Sequence, residues 1–104
     1  MPYARLVSAA AETDTELVAA PGAGWAIQIL AIFIMSVGTN TVSLYEDDGA
    51  TLLHRQYNIS NQRYTVLPSG SQPWDELTED KNLTITSTHP VNMFVKVVYR
   101  TVNV

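Results

Sequence analysis

The chain has 104 residues, no cysteine and a formal net charge of −4. That length supports one hydrophobic core and not two, and the missing cysteines exclude both a disulfide framework and a thiolate metal site. The cations Arg5, Arg55, Arg63, Lys81, Lys96 and Arg100 are scattered and form no basic stripe that could neutralise a phosphate backbone, so nucleic acid is not an expected partner.

Residues 1–14 mix small and polar types with one apolar pair, Leu6-Val7, and are expected to form an extended N-terminal arm. Ser8, Glu12 and Asp14 interrupt any continuous apolar stretch here, so no secretion signal is expected. Thr15–Ala20 reads as a strand ended by the breaker cluster Pro21-Gly22-Ala23-Gly24, which opens the domain proper at 15–104.

The run Trp25–Met35 is the most apolar part of the chain and is rich in β-branched residues. It is too short to cross a bilayer as a helix, so no membrane partner is expected. Read with period two, one side carries Trp25, Ile27, Ile29, Phe33 and Met35. The other carries Ala26, Leu30, Ile32 and Ile34, interrupted by Gln28. A half-exposed strand should alternate apolar with polar, so this one is expected to be dry on both faces. Leaving Leu30, Ile32 and Ile34 in water would forgo roughly 5–9 kcal/mol of burial, comparable with the stability of a small domain. A covering layer is therefore expected, either the N-terminal segment or a second subunit.

Thr41–Tyr45 is a cleanly alternating strand, and Glu46-Asp47-Asp48-Gly49 is a hairpin signal because Asp-Gly tolerates positive φ. Thr51–Ile59 follows, with Leu53, Tyr57 and Ile59 on one face and His54, Gln56 and Asn58 on the polar one. Arg63–Leu67 reads as a short strand and Gln72–Asp80 as an acidic loop carrying Trp74. Leu83–Thr86 is a further strand. In the last, Val91–Val104, the residues Val91, Met93, Val95, Val97 and Tyr99 form a core face opposite Lys96 and Arg100. Seven to eight strands without a helix mean an all-β, antiparallel β-sandwich or barrel.

The order Thr15–Gly24, an Ile-rich strand, Ser36–Leu44, and then Trp74 ahead of Leu83-Thr84-Ile85 and a Val-rich final strand resembles small β-sandwich proteins of tailed-bacteriophage virions. These include the jelly-roll decoration, or cement, proteins of the capsid exterior. The resemblance spans about residues 15–104 and rests on strand-and-turn cadence; the acidic loop at 72–80 and residues 1–14 depart from it. It implies a jelly-roll sandwich that binds the major capsid protein lattice as a homo-oligomer, dimer or trimer, and opposes the pressure of the packed genome. Multivalent contact would supply the affinity. The alternative is a tail or head-fibre attachment domain or a glycan-binding module.

No catalytic or metal-binding constellation is expected. His54 and His89 lack companion ligands, and the clusters Glu46-Asp47-Asp48 and Asp75-Glu76/Glu79-Asp80 lack the spacing of a calcium loop. No Gly-x-Ser-x-Gly elbow or phosphate-binding glycine motif is present. No cofactor is expected. The sequons at Asn58 and Asn82 are read as accidental. Trp25, Trp74, Tyr57 and Tyr64 are the residues that could stack on a sugar. The interface candidates are the apolar pair Leu6 and Val7, the second-face residues Leu30, Ile32 and Ile34, and the loop residue Trp74.

Overall fold

Nine strands build two antiparallel sheets in the computed structural model, which describes residues 3–58, 65–66 and 75–104. They are β1 (Tyr3–Ser8), β2 (Thr15–Val18), β3 (Trp25–Ser36), β4 (Asn40–Glu46), β5 (Thr51–Asn58), β6 (Thr65–Val66), β7 (Asp75–Glu76), β8 (Leu83–Ser87) and β9 (Met93–Asn103). The first sheet runs β1-β9-β3-β6, with β7 also paired to β3; the second runs β2-β8-β4-β5. The chain is therefore an all-β, antiparallel sandwich, with no helix among the described residues. Its spine is the long β3–β9 ladder, paired from Trp25↔Asn103 to Ser36↔Met93.

A β-bulge decides which side of β3 is dry. The register against β9 shifts between Ile29 and Ala31, and the extra residue resets the alternation by one. Ile27 and Ile29 before the bulge, and Ile32 and Ile34 after it, consequently share one face, and all four are fully buried in the core with Val42, Leu44, Ile85, Val95 and Val97. The expectation of two dry faces is corrected here. The opposite face carries Ala26, Gln28, Ala31, Phe33 and Met35; Ala26 is 1% exposed and Leu30, at the bulge, 7%, so the second face is dry near the start of β3 and opens at Met35, which is 45% exposed. What covers Ile32 and Ile34 is the second sheet of the same chain.

Residues 1–14 are extended as expected, but Tyr3–Ser8 is held as the edge strand β1 along β9, in the register Tyr3↔Val98 to Ser8↔Met93. Ala4 and Leu6 pack on the core while Tyr3, Arg5 and Val7 point outward. The sandwich thus begins inside the segment assigned to the arm. The alternation in Tyr3–Val7 is what allows it, since an edge strand needs one apolar face and ladder bonds on one side only.

The β4–β5 hairpin turns through Asp47, Asp48 and Gly49 at φ 60, 52 and 90°. A Cβ at Gly49 would collide with the Asp14 carboxylate as well as strain the backbone. Gly49→Ala is expected to cost about 1–3 kcal/mol, read as a lower melting temperature with an unchanged spectrum of the folded state.

Strand β5 is turned the opposite way from its expected orientation. Tyr57 is 72% exposed, whereas Asn58 is 2% and Gln56 8% exposed. The buried amides bond to one another: Asn58 Nδ2 donates to Asn40 Oδ1 at 2.8 Å, Gln56 Nε2 donates to Asn58 Oδ1, and Asn40 Nδ2 lies 3.8 Å from the Met93 sulfur, while Gln56 Oε1 has no partner among the described residues. Leu53 still reaches the core because the β4–β5 register shifts between Leu44 and Tyr45. His54, half-buried beside this row, has its pKa lowered by desolvation. Period-two alternation separates two faces but does not say which is inside; here a set of mutually bonded amides made the polar face the buried one.

Candidate interaction surface

The outer face of the first sheet combines apolar side chains with unpaired cations. Alternation along β1, β9 and β3 places Tyr3, Arg5 and Val7 beside Phe94, Lys96 and Val98, and these beside Phe33 and Met35. Val7 is 77% exposed and Val37, just past the end of β3, is 60% exposed. Met35, Val37, Asn92, Met93 and Phe94 line an open hollow of about 200 Å³. Covering Val7, Met35 and Val37 would contribute on the order of 1–2 kcal/mol each, since they are already part-shielded. Exposed apolar side chains grouped on one face make it a candidate interaction surface.

Arg5 and Lys96 are direct cross-strand partners, an unfavourable placement for like charges. The Tyr3 ring is within cation–π reach of both, 5.4 Å from the Arg5 guanidinium and 4.6 Å from the Lys96 ammonium, and offsets part of that repulsion. Among the described residues the one ion pair is Lys81–Asp47, so neither cation has a carboxylate partner there. Arg100 instead donates to Gln28 Oε1 at 2.7 Å, and Gln28 Nε2 donates to Glu76 Oε1 at 2.6 Å.

The acidic side chains gather at the end of the sandwich where β3 begins. Asn82 Nδ2 donates to both Glu16 Oε2 and Asp48 Oδ1, while the Gly22 and Gly24 amides donate to Asp80 and Glu79. Glu46 is turned inward and accepts from the Thr78 amide. Glu12, on the second sheet's border, accepts hydroxyl bonds from Ser8 and Thr15, which hold its carboxyl below the usual range. These carboxylates tie loops together, and among the described residues no three acidic or histidine side chains converge to hold a metal. His89 is exposed at φ 58° with its ring nitrogen on Thr88 Oγ1.

The outer face of the second sheet presents Tyr45, Arg55 and Tyr57. Arg55 Nε donates to Ser43 Oγ and Nη2 to Tyr45 OH, both at 3.0 Å, and bonding to the Tyr57 and Tyr45 hydroxyls raises its pKa. The sequon asparagines are both buried with their amide nitrogens engaged, Asn58 on Asn40 and Asn82 on Glu16 and Asp48.

Of the interface candidates, Val7 belongs to the apolar surface, whereas Leu6 packs toward the core. Ile32 and Ile34 are core residues, and Leu30 is buried at the bulge, 7% exposed. Trp74 lies outside the described residues, as does Tyr64; Trp25 is half-exposed at the start of β3. Sequence reasoning missed Tyr3, Arg5, Met35, Val37, Phe94 and Lys96 as parts of one surface. The period-two pattern of Tyr3–Val7 was the available signal, masked by reading the segment as an arm.

No family model and no curated protein matches the chain. Among solved structures it is similar to an acetyl xylan esterase (Est2A) from the rumen bacterium Butyrivibrio proteoclasticus, at 12% identity and a TM-score of 0.43. That likeness covers 100% of this chain and 34% of the esterase chain, so this chain spans about a third of the esterase's length. A similarity of this size carries no argument about activity.

Proposed function

We propose that this chain is a non-enzymatic virion structural protein that binds the outer surface of a phage capsid as a homo-oligomer and cements or decorates the major capsid protein lattice. The observation that carries the reading is the apolar and cationic outer face of the first sheet, left open on a sandwich whose own core is already complete. A monomeric domain gains nothing from such a surface, whereas a building block uses it for contact. Strand order supports a jelly-roll winding: the orders β1-β9-β3-β6 and β2-β8-β4-β5 make every step from β1 to β4, and from β7 to β9, cross between sheets. The strand-and-turn cadence across residues 15–104 supports the same family. A sandwich core built on the long β3–β9 ladder suits a part that must resist load without moving.

Co-sedimentation with intact capsids of the phage that encodes the chain tests the reading. Saturable pelleting, at a copy number in simple ratio to the major capsid protein, is the expected result. A chain that stays in the supernatant at every ratio overturns it. A second reading, glycan binding, draws on Tyr57, which stands exposed beside Arg55 and Tyr45. A glycan array in which binding is lost on Tyr57→Ala would favour that reading.

A further inference from the structure

We infer that the outer face of the first sheet receives the acidic end of a second copy of this chain, in a head-to-tail contact. The receiving surface is Arg5 and Lys96 flanked by Val7, Phe94 and Met35; the entering one carries Asp14, Glu16, Asp47, Asp48, Glu79 and Asp80. Three observations select this occupant. Arg5 and Lys96 face each other in register with no carboxylate partner among the described residues, so the surface is matched to an anionic one.

Among the described residues none of the molecule's own carboxylates pairs with Arg5 or Lys96; Glu12, the acid near the end of β1, is engaged by Ser8 and Thr15, and Glu76 by Gln28. The acids of the entering surface cluster around the start of β3, where the Asp80 amide donates to the Trp25 carbonyl and the Val104 amide to the Gly24 carbonyl. Lys96 pairs with Phe33, which at about 3.3 Å per residue is roughly 26 Å further along the strand. That is well beyond the roughly 8 Å over which exposed charges interact at physiological salt. Finally, a symmetric dimer made by laying two such faces together would set one Arg5–Lys96 pair against another, which like-charge repulsion opposes. The contact must therefore join two different surfaces, and a contact of that type closes into a ring or extends.

The contact is a property of the chain alone and rests on the proposed function only in treating it as an assembly module. Its test on purified protein is thus separable from capsid binding. Light scattering at submillimolar concentration should give a mass above the 11.5 kDa of one chain, falling toward it as salt is raised. Arg5→Glu/Lys96→Glu should lose the association at least about tenfold in affinity, and so should Asp47→Asn/Asp48→Asn, in which asparagine tolerates the positive φ. An equimolar mixture of the two variants should form a two-chain species, because each mixed pair retains one intact receiving face and one intact acidic end. Circular dichroism melts verify that both variants are folded, with Lys96→Gln as the milder replacement should the reversal unfold the chain. A one-chain mass for the parent protein at low salt overturns the proposal. So does an oligomer indifferent to salt and to both variants, which would be a symmetric apolar dimer or another arrangement. Failure of the mixture to pair overturns it as well.

Discussion

Ile32→Asp is expected to abolish cooperative folding, while Met35→Asp, three residues along the same strand, leaves a cooperative melt. Ile32 is fully buried among the residues of both sheets, and Met35 is 45% exposed on the other side of β3. Losing the Ile side chain alone costs about 2–5 kcal/mol, as Ile32→Ala should show. An unpaired carboxylate in that position adds several kcal/mol of desolvation. Together these reach the roughly 5–15 kcal/mol that hold a small domain folded. Met35→Asp places its charge at a solvent-accessible site, and its expected cost is about 1 kcal/mol. Thermal melts followed by circular dichroism check both. Equal effects of the two substitutions would mean that the β3 bulge does not set the phase of the strand.

Asn58→Leu is expected to destabilise the protein by about 2–4 kcal/mol although it replaces a polar residue by an apolar one in a sandwich interior. Asn58 accepts from Gln56 and donates to Asn40, and all three side chains are buried. A leucine leaves the Gln56 amide and the Asn40 carbonyl without that partner, and each orphaned buried group costs about 1–3 kcal/mol, offset in part by the added apolar burial. For a domain of this size that lowers the melting temperature by roughly 10–25 °C. Tyr57→Ser, at the neighbouring and 72% exposed position, is expected to change it by no more than a few degrees. The pair of substitutions reverses what residue type alone would rank, since the aromatic should be the costly loss and the amide the mild one. Differential scanning calorimetry of the two variants gives the answer directly.

The two substitutions meet a common feature of the architecture. Both β3 and β5 carry a register shift, one against β9 and one against β4, and each shift decides which residues reach the core. On β3 the shift gathers four isoleucines onto one face and leaves Met35 exposed on the other. On β5 it brings Leu53 inward beside a row of amides. The facing of β3 beyond Ile29 and the inward turn of Leu53 are thus consequences of where single extra residues were placed in the ladders.

Much of the fold was legible beforehand. The Pro21–Gly24 breaker, the turn at Gly38 and the Asp47–Gly49 hairpin set the limits of β2, β3, β4 and β5 to within a few residues, because backbone restrictions at Pro, Gly and Asp act locally. The core face of β9, with Met93, Val95 and Val97 inward and Lys96 and Arg100 outward, followed from strict alternation without interruption. The candidate surface was legible only in fragments. Val7 was singled out, but its neighbours on the surface come from β1, β3 and β9, which are distant in sequence and adjacent only through pairing.

By itself the sequence determined the class of the molecule: strand-forming residues, turn chemistry and a single apolar core are local properties, each written in a few consecutive side chains. Tertiary structure alone decided the facing of β3 beyond its bulge and of β5. A bulge is one residue long and leaves no compositional mark, yet it inverts every side chain that follows it. A buried amide reads as a surface residue until its hydrogen-bond partner on the next strand is in place.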